Sequence, residues 1–134
     1  MSKKFQIRSS SSDSCFELSH FDGDFFTASI SGTGRAGELR ICGYQYSPPM
    51  PEFFQDLAKN WKGWDGEKSW ESLEGDLDIF ASSDKLGHVT LTFRLGNANR
   101  GLDEDWVLVV KMSTEAGLLD DIASGCSDFF KADG

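Results

Sequence analysis

The chain has 134 residues and a formal charge of −9, from thirteen basic and twenty-two acidic side chains, which suits a single domain spanning residues 1–134 and disfavours nucleic acid or an anionic membrane as partner. Three cysteines, Cys15, Cys42 and Cys126, are odd in number and lack short paired spacing, which argues against a disulfide framework or a zinc motif and for free thiols in a reducing compartment. No apolar run is long enough for a signal peptide or a bilayer span, so a cytoplasmic protein with no membrane contact is expected.

Phe5–Arg8 and Cys15–His20 read as short strands around a serine-rich loop at 9–14. Phe26, Ala28 and Ile30 alternate with Thr27 and Ser29, the period-2 mark of a half-buried strand, and Leu39–Gly43 returns after the glycines of 32–37 as a hairpin. Pro48-Pro49-Met50-Pro51 ends that strand and opens a helix. Met50, Phe53, Phe54, Leu57, Ala58 and Trp61 form its apolar stripe, with Gly63 as the stop. Leu73, Leu77, Ile79 and Ala81 share one face of the next strand; Asp84–Gly87 turns the chain, and Val89, Leu91, Phe93 and Leu95 bring it back. Trp106–Ser113 is apolar on both faces and is expected to be a central strand. Thr114 can cap a last helix carrying Leu118, Leu119, Ile122, Cys126, Phe129 and Phe130. The sum is an α+β fold: a mostly antiparallel sheet of about seven strands with two amphipathic helices, the last one C-terminal.

Little in this order resembles catalytic machinery. Gly32-Thr33-Gly34-Arg35-Ala36-Gly37 matches the dinucleotide fingerprint in letters, but a strand follows it where a phosphate-binding helix is required. His20 and His88 are isolated, and no His/Cys spacing suits zinc, so no catalytic residue, metal or cofactor is expected. Trp61, Trp64 and Trp70 fall within ten residues and read chiefly as closure of the core. An alternative is a small-molecule or enzymatic pocket built from this cluster and His88.

Charge carries the functional expectation. Residues 1–62 hold seven basic and seven acidic side chains, whereas residues 63–134 hold six and fifteen. Asp65, Glu67, Glu71, Glu74, Asp76 and Asp78 crowd fourteen positions, and Asp103, Glu104 and Asp105 form a second acidic group. With Leu73, Leu77 and Ile79 inward, alternation puts Glu74, Asp76 and Asp78 on the opposite face, about 6.5–7 Å apart. Such a surface steers a basic protein partner.

The motifs Trp61…Gly63-Trp64-Asp65-Gly66…Trp70, Gly87-His88-Val89, Trp106-Val107-Leu108 and Gly117-Leu118-Leu119…Phe129-Phe130 resemble a family of small bacterial proteins of unknown function. More loosely, they are similar to WapI-type immunity proteins. The likeness covers about the last three-fifths of the chain. It implies a mostly β domain closed by a helix, without catalytic residues. Its partner would be a basic toxin domain such as a nuclease, bound and blocked by an antitoxin.

Overall fold

The computed structural model describes residues 3–43, 49–96 and 106–131. Among them the order is β1 (Lys4–Arg8), β2 (Cys15–Ser19), β3 (Phe25–Gly32), β4 (Arg35–Cys42), α1 (Met50–Lys59), β5 (Lys68–Glu71), β6 (Leu77–Ser83), β7 (His88–Gly96), β8 (Val107–Glu115) and α2 (Leu119–Phe130). The strands form two antiparallel meanders of four, β1-β2-β3-β4 and β5-β6-β7-β8. The α+β class and the C-terminal helix match the expectation. The strand count is eight because Lys68–Glu71 forms a short edge strand against β6.

Alternation decides which face each strand buries. Phe5 and Ile7, Phe16 and Leu18, Phe26, Ala28 and Ile30 point inward from the first sheet. Leu77, Ile79 and Ala81 with Val89, Leu91, Phe93 and Leu95 do so from the second. The two inner faces meet where Phe16 of β2 stacks on Phe93 of β7, ring centroids 4.2 Å apart and planes 16° from parallel. Gly37 of β4 leaves room for Leu108 and Trp106, since a Cβ there would stand 3.2 Å from each side chain. A serine clasp links the sheets at their rim. Ser10 N–H donates to the Ser113 carbonyl of β8 at 2.8 Å, and Ser9 Oγ accepts the Ser113 N–H at 3.1 Å.

The helices pack on each other and complete the core. In α1, Met50, Phe53, Phe54 and Leu57 are buried, and Phe54 meets Phe5 edge-on. From α2, Phe130 packs edge-on against Phe26 and Phe21. Asp120 and Asp121 occupy its first turn, where the helix dipole favours negative charge. Cys126 is wholly enclosed, and burial pushes its thiol pKa far up, so it is an inert core residue.

Three local expectations are corrected. Asn60 ends α1, its N–H reaching the carbonyls of Asp56 and Leu57, so Trp61 leaves the buried stripe and stands 56% exposed. Strand β8 is an edge strand rather than a central one, and Val107 and Val109 lie exposed on its outer face. Thr114 does not cap a helix. It is a buried residue of β8 paired with Val89, and a short 3-10 turn, Ala116–Leu118, leads into α2.

Candidate functional site

The acidic segment divides into two groups with different surroundings. Residues 72–76 make a turn rather than a strand: Ser72 N–H donates to the Leu77 carbonyl at 2.9 Å, Ser72 Oγ accepts the Leu77 N–H at 3.1 Å, and Gly75 adopts φ 74°. The chain therefore does not alternate through 74, 76 and 78, and the expected row of three carboxylates does not form. Asp76 is 4% exposed. Asp78 sits half-buried on β6, opposite Arg94 in the ladder, and accepts its Nη1–H at 2.9 Å. Burial raises the Asp78 pKa and the Glu71 charge adds to it, while the Arg94 hydrogen bond and charge pull the other way. Both groups are committed inside the fold.

Asp65, Glu67, Glu71 and Glu74 remain exposed. They border the outer edge of the second sheet, where no other described strand pairs with β5: Asp65 and Glu67 on the approach to β5, Glu71 on it, Glu74 in the turn beyond. Because Ser72 and Leu77 are the hydrogen-bonded pair, the backbone groups of Ser69 and Glu71 point away from β6, and no described residue hydrogen-bonds them. Lys68, the one cation of the stretch, is held by Asp56 of α1 at 2.9 Å. Glu67 and Glu71 lie about 13 Å apart at normal strand rise, beyond a physiological screening length of about 8 Å, so they coexist without strong repulsion. Asp103, Glu104 and Asp105 lie outside the described residues.

The tryptophans separate as well. Trp70 is buried, and the Trp64 indole N–H donates to the Ala81 carbonyl at 3.1 Å, fastening the chain after α1 to β6. Of these three, Trp61 is the one that faces solvent. It borders an open cleft of about 660 Å³ with Lys62, Lys85, Leu86 and Glu115. Lys62 Nζ lies 5.5 Å from the Trp61 ring centroid, and Leu86 is 81% exposed on the β6–β7 turn. No sequence period marks this cleft, since its walls come from three distant turns.

His88 is not among the residues lining that cleft. It opens β7, exposed, with Nδ1 2.9 Å from Asp84 Oδ2. Asp84 Oδ1 also accepts the N–H groups of Leu86 and His88, so the pair fastens the hairpin turn. The Asp84 hydrogen bond, then the charges of Asp84 and Glu115, raise the His88 pKa. The Asp84 carboxyl is held below its usual range, first by the His88 backbone N–H. A base with a raised folded pKa stabilises fully below its unfolded value, about 6.5, and that contribution is lost as pH rises through the folded pKa. His88→Gln therefore lowers the thermal midpoint at pH 5.5, and the difference from wild type shrinks by pH 9. Melting curves across that range check it, and a pH-independent deficit contradicts the ion pair.

His20 serves structure. Its carbonyl accepts from Arg40 Nη1, which also donates to Thr27 Oγ1, while Arg40 Nη2 pairs with Asp22 at 2.9 Å. Thr33-Gly34 is the two-residue turn between β3 and β4, and β4 follows it, so those glycines serve a hairpin. Among the described residues no group of three or more His, Cys, Asp or Glu is placed to hold a metal ion, and no helix is long and apolar enough to cross a membrane.

Two four-stranded meanders closed by a helix pair, with acidic side chains along one outer strand, define an α+β protein. A family model described as "Family of unknown function (DUF6228)" matches residues 9–133, and the chain belongs to that family. The match takes in β2, β3 and β4 of the N-terminal sheet, well beyond the C-terminal three-fifths that carried the resemblance in motifs. No curated protein and no solved structure matches the chain.

Proposed function

We propose that the chain is a protein-binding module that recognises a basic partner through the acidic outer edge of its second sheet. The carrying observation is that Asp65, Glu67, Glu71 and Glu74 stay exposed around a strand edge that no other described strand covers, while Asp76 and Asp78 are taken up internally. Exposed carboxylates steer a basic surface, and the outward backbone groups of Ser69 and Glu71, which no described residue hydrogen-bonds, offer directional contacts once it arrives. The partner class proposed is a toxin domain such as a nuclease, blocked by occlusion, in the manner of the WapI-type immunity proteins that the C-terminal motifs resemble.

The test is capture of partners from the native host, by wild type and by the triple variant Glu67→Lys, Glu71→Lys, Glu74→Lys. All three positions are exposed, so the fold is expected to tolerate the change. A basic protein is retained by wild type at low salt, and the variant associates with it about 10-fold or more slowly. Equal capture by both proteins, insensitive to salt, overturns this surface.

A second reading rests on the Trp61 cleft, whose volume lies within the range of small-molecule sites. It would involve Trp61 without Trp64, Trp70 or His88, so His88→Ala would leave any ligand affinity unchanged while Trp61→Ala abolished it.

A further inference from the structure

A different edge of the molecule is prepared for a strand. In β1, Phe5 and Ile7 point into the core, whereas Gln6 and Arg8 are exposed. Ser9 N–H donates to the Ser14 carbonyl at 2.9 Å, which makes Ser9 and Ser14 a hydrogen-bonded pair. Counting back in twos, Ile7 with Phe16 and Phe5 with Leu18 are the other bonded pairs. The backbone N–H and C=O groups of Gln6 and Arg8 therefore face away from β2, and no described residue hydrogen-bonds them. They are two donor–acceptor sets spaced about 6.5–7 Å apart.

Facing this edge is one side of the C-terminal helix. Leu118, Asp121, Ile122 and Gly125 follow one another at helical spacing and form the far wall of a groove of about 390 Å³. At one end the helix closes on the strand, because a Cβ at Gly125 would stand 3.1 Å from the Phe5 ring. At the other the serine clasp to Ser113 ends it. The groove between its ends is lined by Ile7, buried Ile122 and half-exposed Leu118, with Arg8 on the strand side and Asp121 on the helix side. Arg8 makes one long side-chain hydrogen bond, to Gln6 at 3.4 Å, and pairs with no carboxylate among the described residues.

We propose that this groove accepts an extended peptide as a ninth strand beside β1. Its backbone pairs with Gln6 and Arg8, an apolar side chain seats against Ile7, Leu118 and Ile122, and a carboxylate on the neighbouring outward position meets Arg8. Repeating backbone donors and acceptors at strand spacing select a polypeptide, since only another extended backbone answers both sets at once. Alternation then assigns the side chains: the residue that shares the face of Ile7 is apolar, and the one that shares the face of Arg8 is acidic. The site lies on the first sheet and is independent of the acidic edge of the second.

The probe is the capped peptide acetyl-Thr-Val-Glu-Val-Thr-amide, titrated into the isotope-labelled full chain. Amide shifts at Gln6, Arg8 and residues 118–125, with slowed hydrogen exchange at Gln6 and Arg8, are the expected result. Methylating the peptide's central backbone nitrogen, or changing Leu118→Arg, weakens binding at least 10-fold. Leu118 is exposed, so that variant folds, and its amide spectrum verifies this. No shift at Gln6 or Arg8 up to millimolar peptide, or equal binding by the methylated peptide, overturns the proposal. So does a concentration-dependent dimer whose Gln6 and Arg8 amides are protected and which the peptide does not disrupt, because the occupant is then a second copy of this chain.

Discussion

Phe93→Ala lowers the unfolding free energy by about 3–5 kcal/mol, the range for removing a large aromatic ring from a packed core. Phe93 is fully buried, and its ring lies flat on Phe16 of the opposite sheet. Truncation thus removes both apolar burial and the stacked pair through which the sheets meet. Neither sheet can collapse into the space freely, since each is fixed by its own ladder of hydrogen bonds. Urea unfolding followed by tryptophan fluorescence reads the loss through Trp70, which is buried in β5. Phe16→Ala costs a similar amount. The double variant costs less than the sum by about 0.5–1.5 kcal/mol, the coupling of an aromatic pair. Should Phe93→Ala unfold the protein outright, Phe93→Leu retains the fold and still shows a reduced midpoint. A loss below about 1 kcal/mol for Phe93→Ala would contradict the docking of the two sheets through this pair.

Gly32→Ala is the second large effect, about 2–5 kcal/mol, from backbone strain and overpacking together. Gly32 has φ 135°, and a Cβ there would stand 2.5 Å from Ser14 Cα, 2.7 Å from its Oγ and 2.9 Å from its N. Two of those atoms are backbone, so Ser14→Gly removes the hydroxyl without making room. Asp13 accepts the Thr33 N–H at 2.9 Å, which holds the β3–β4 turn against the loop that would have to move. Gly34→Ala is the control. Its φ is 77° with nothing within 4 Å of the added carbon, so it carries strain alone and costs less. Equal losses in the two variants would mean that contact with Ser14 does not matter.

How far the fold can be read from the residues depends on whether burial leaves a period. Helix α1 shows itself because Met50, Phe53, Phe54 and Leu57 recur at helical spacing, and each of those side chains is buried. Its end is hidden: Trp61 continues the same spacing, but Asn60 terminates the helix one residue earlier. Strand β5 buries only Trp70 among four residues, which is too little to set an alternation. Strand β8 misleads in the other direction. Val107 and Val109 suit a strand backbone but lie on an exposed outer face, so apolar composition reflects conformational preference there rather than enclosure. Division into two sheets leaves no trace at all, since the inward residues of both alternate alike. The candidate acidic surface was half legible for the same reason. Leu73 and Leu77 fit one strand face by count, yet the Ser72 hydroxyl and the left-handed Gly75 bend the chain between them, and Asp76 and Asp78 then meet different neighbours.

The arrangement of strands also bears on how the chain reaches its folded state. Every ladder joins strands adjacent in sequence, so each sheet can zip up from hairpins before the other exists. The contacts of greatest separation tie the first sheet to the C-terminal end of the chain: Gly125 against Phe5, Phe130 on Phe21 and Phe26, and Ser9 and Ser10 on Ser113. These meet the largest entropic barrier, because about a hundred residues must be brought together before the serines bond. Docking of the C-terminal helix and of the serine rim onto the first sheet is therefore expected late in assembly, after both sets of hairpins have formed.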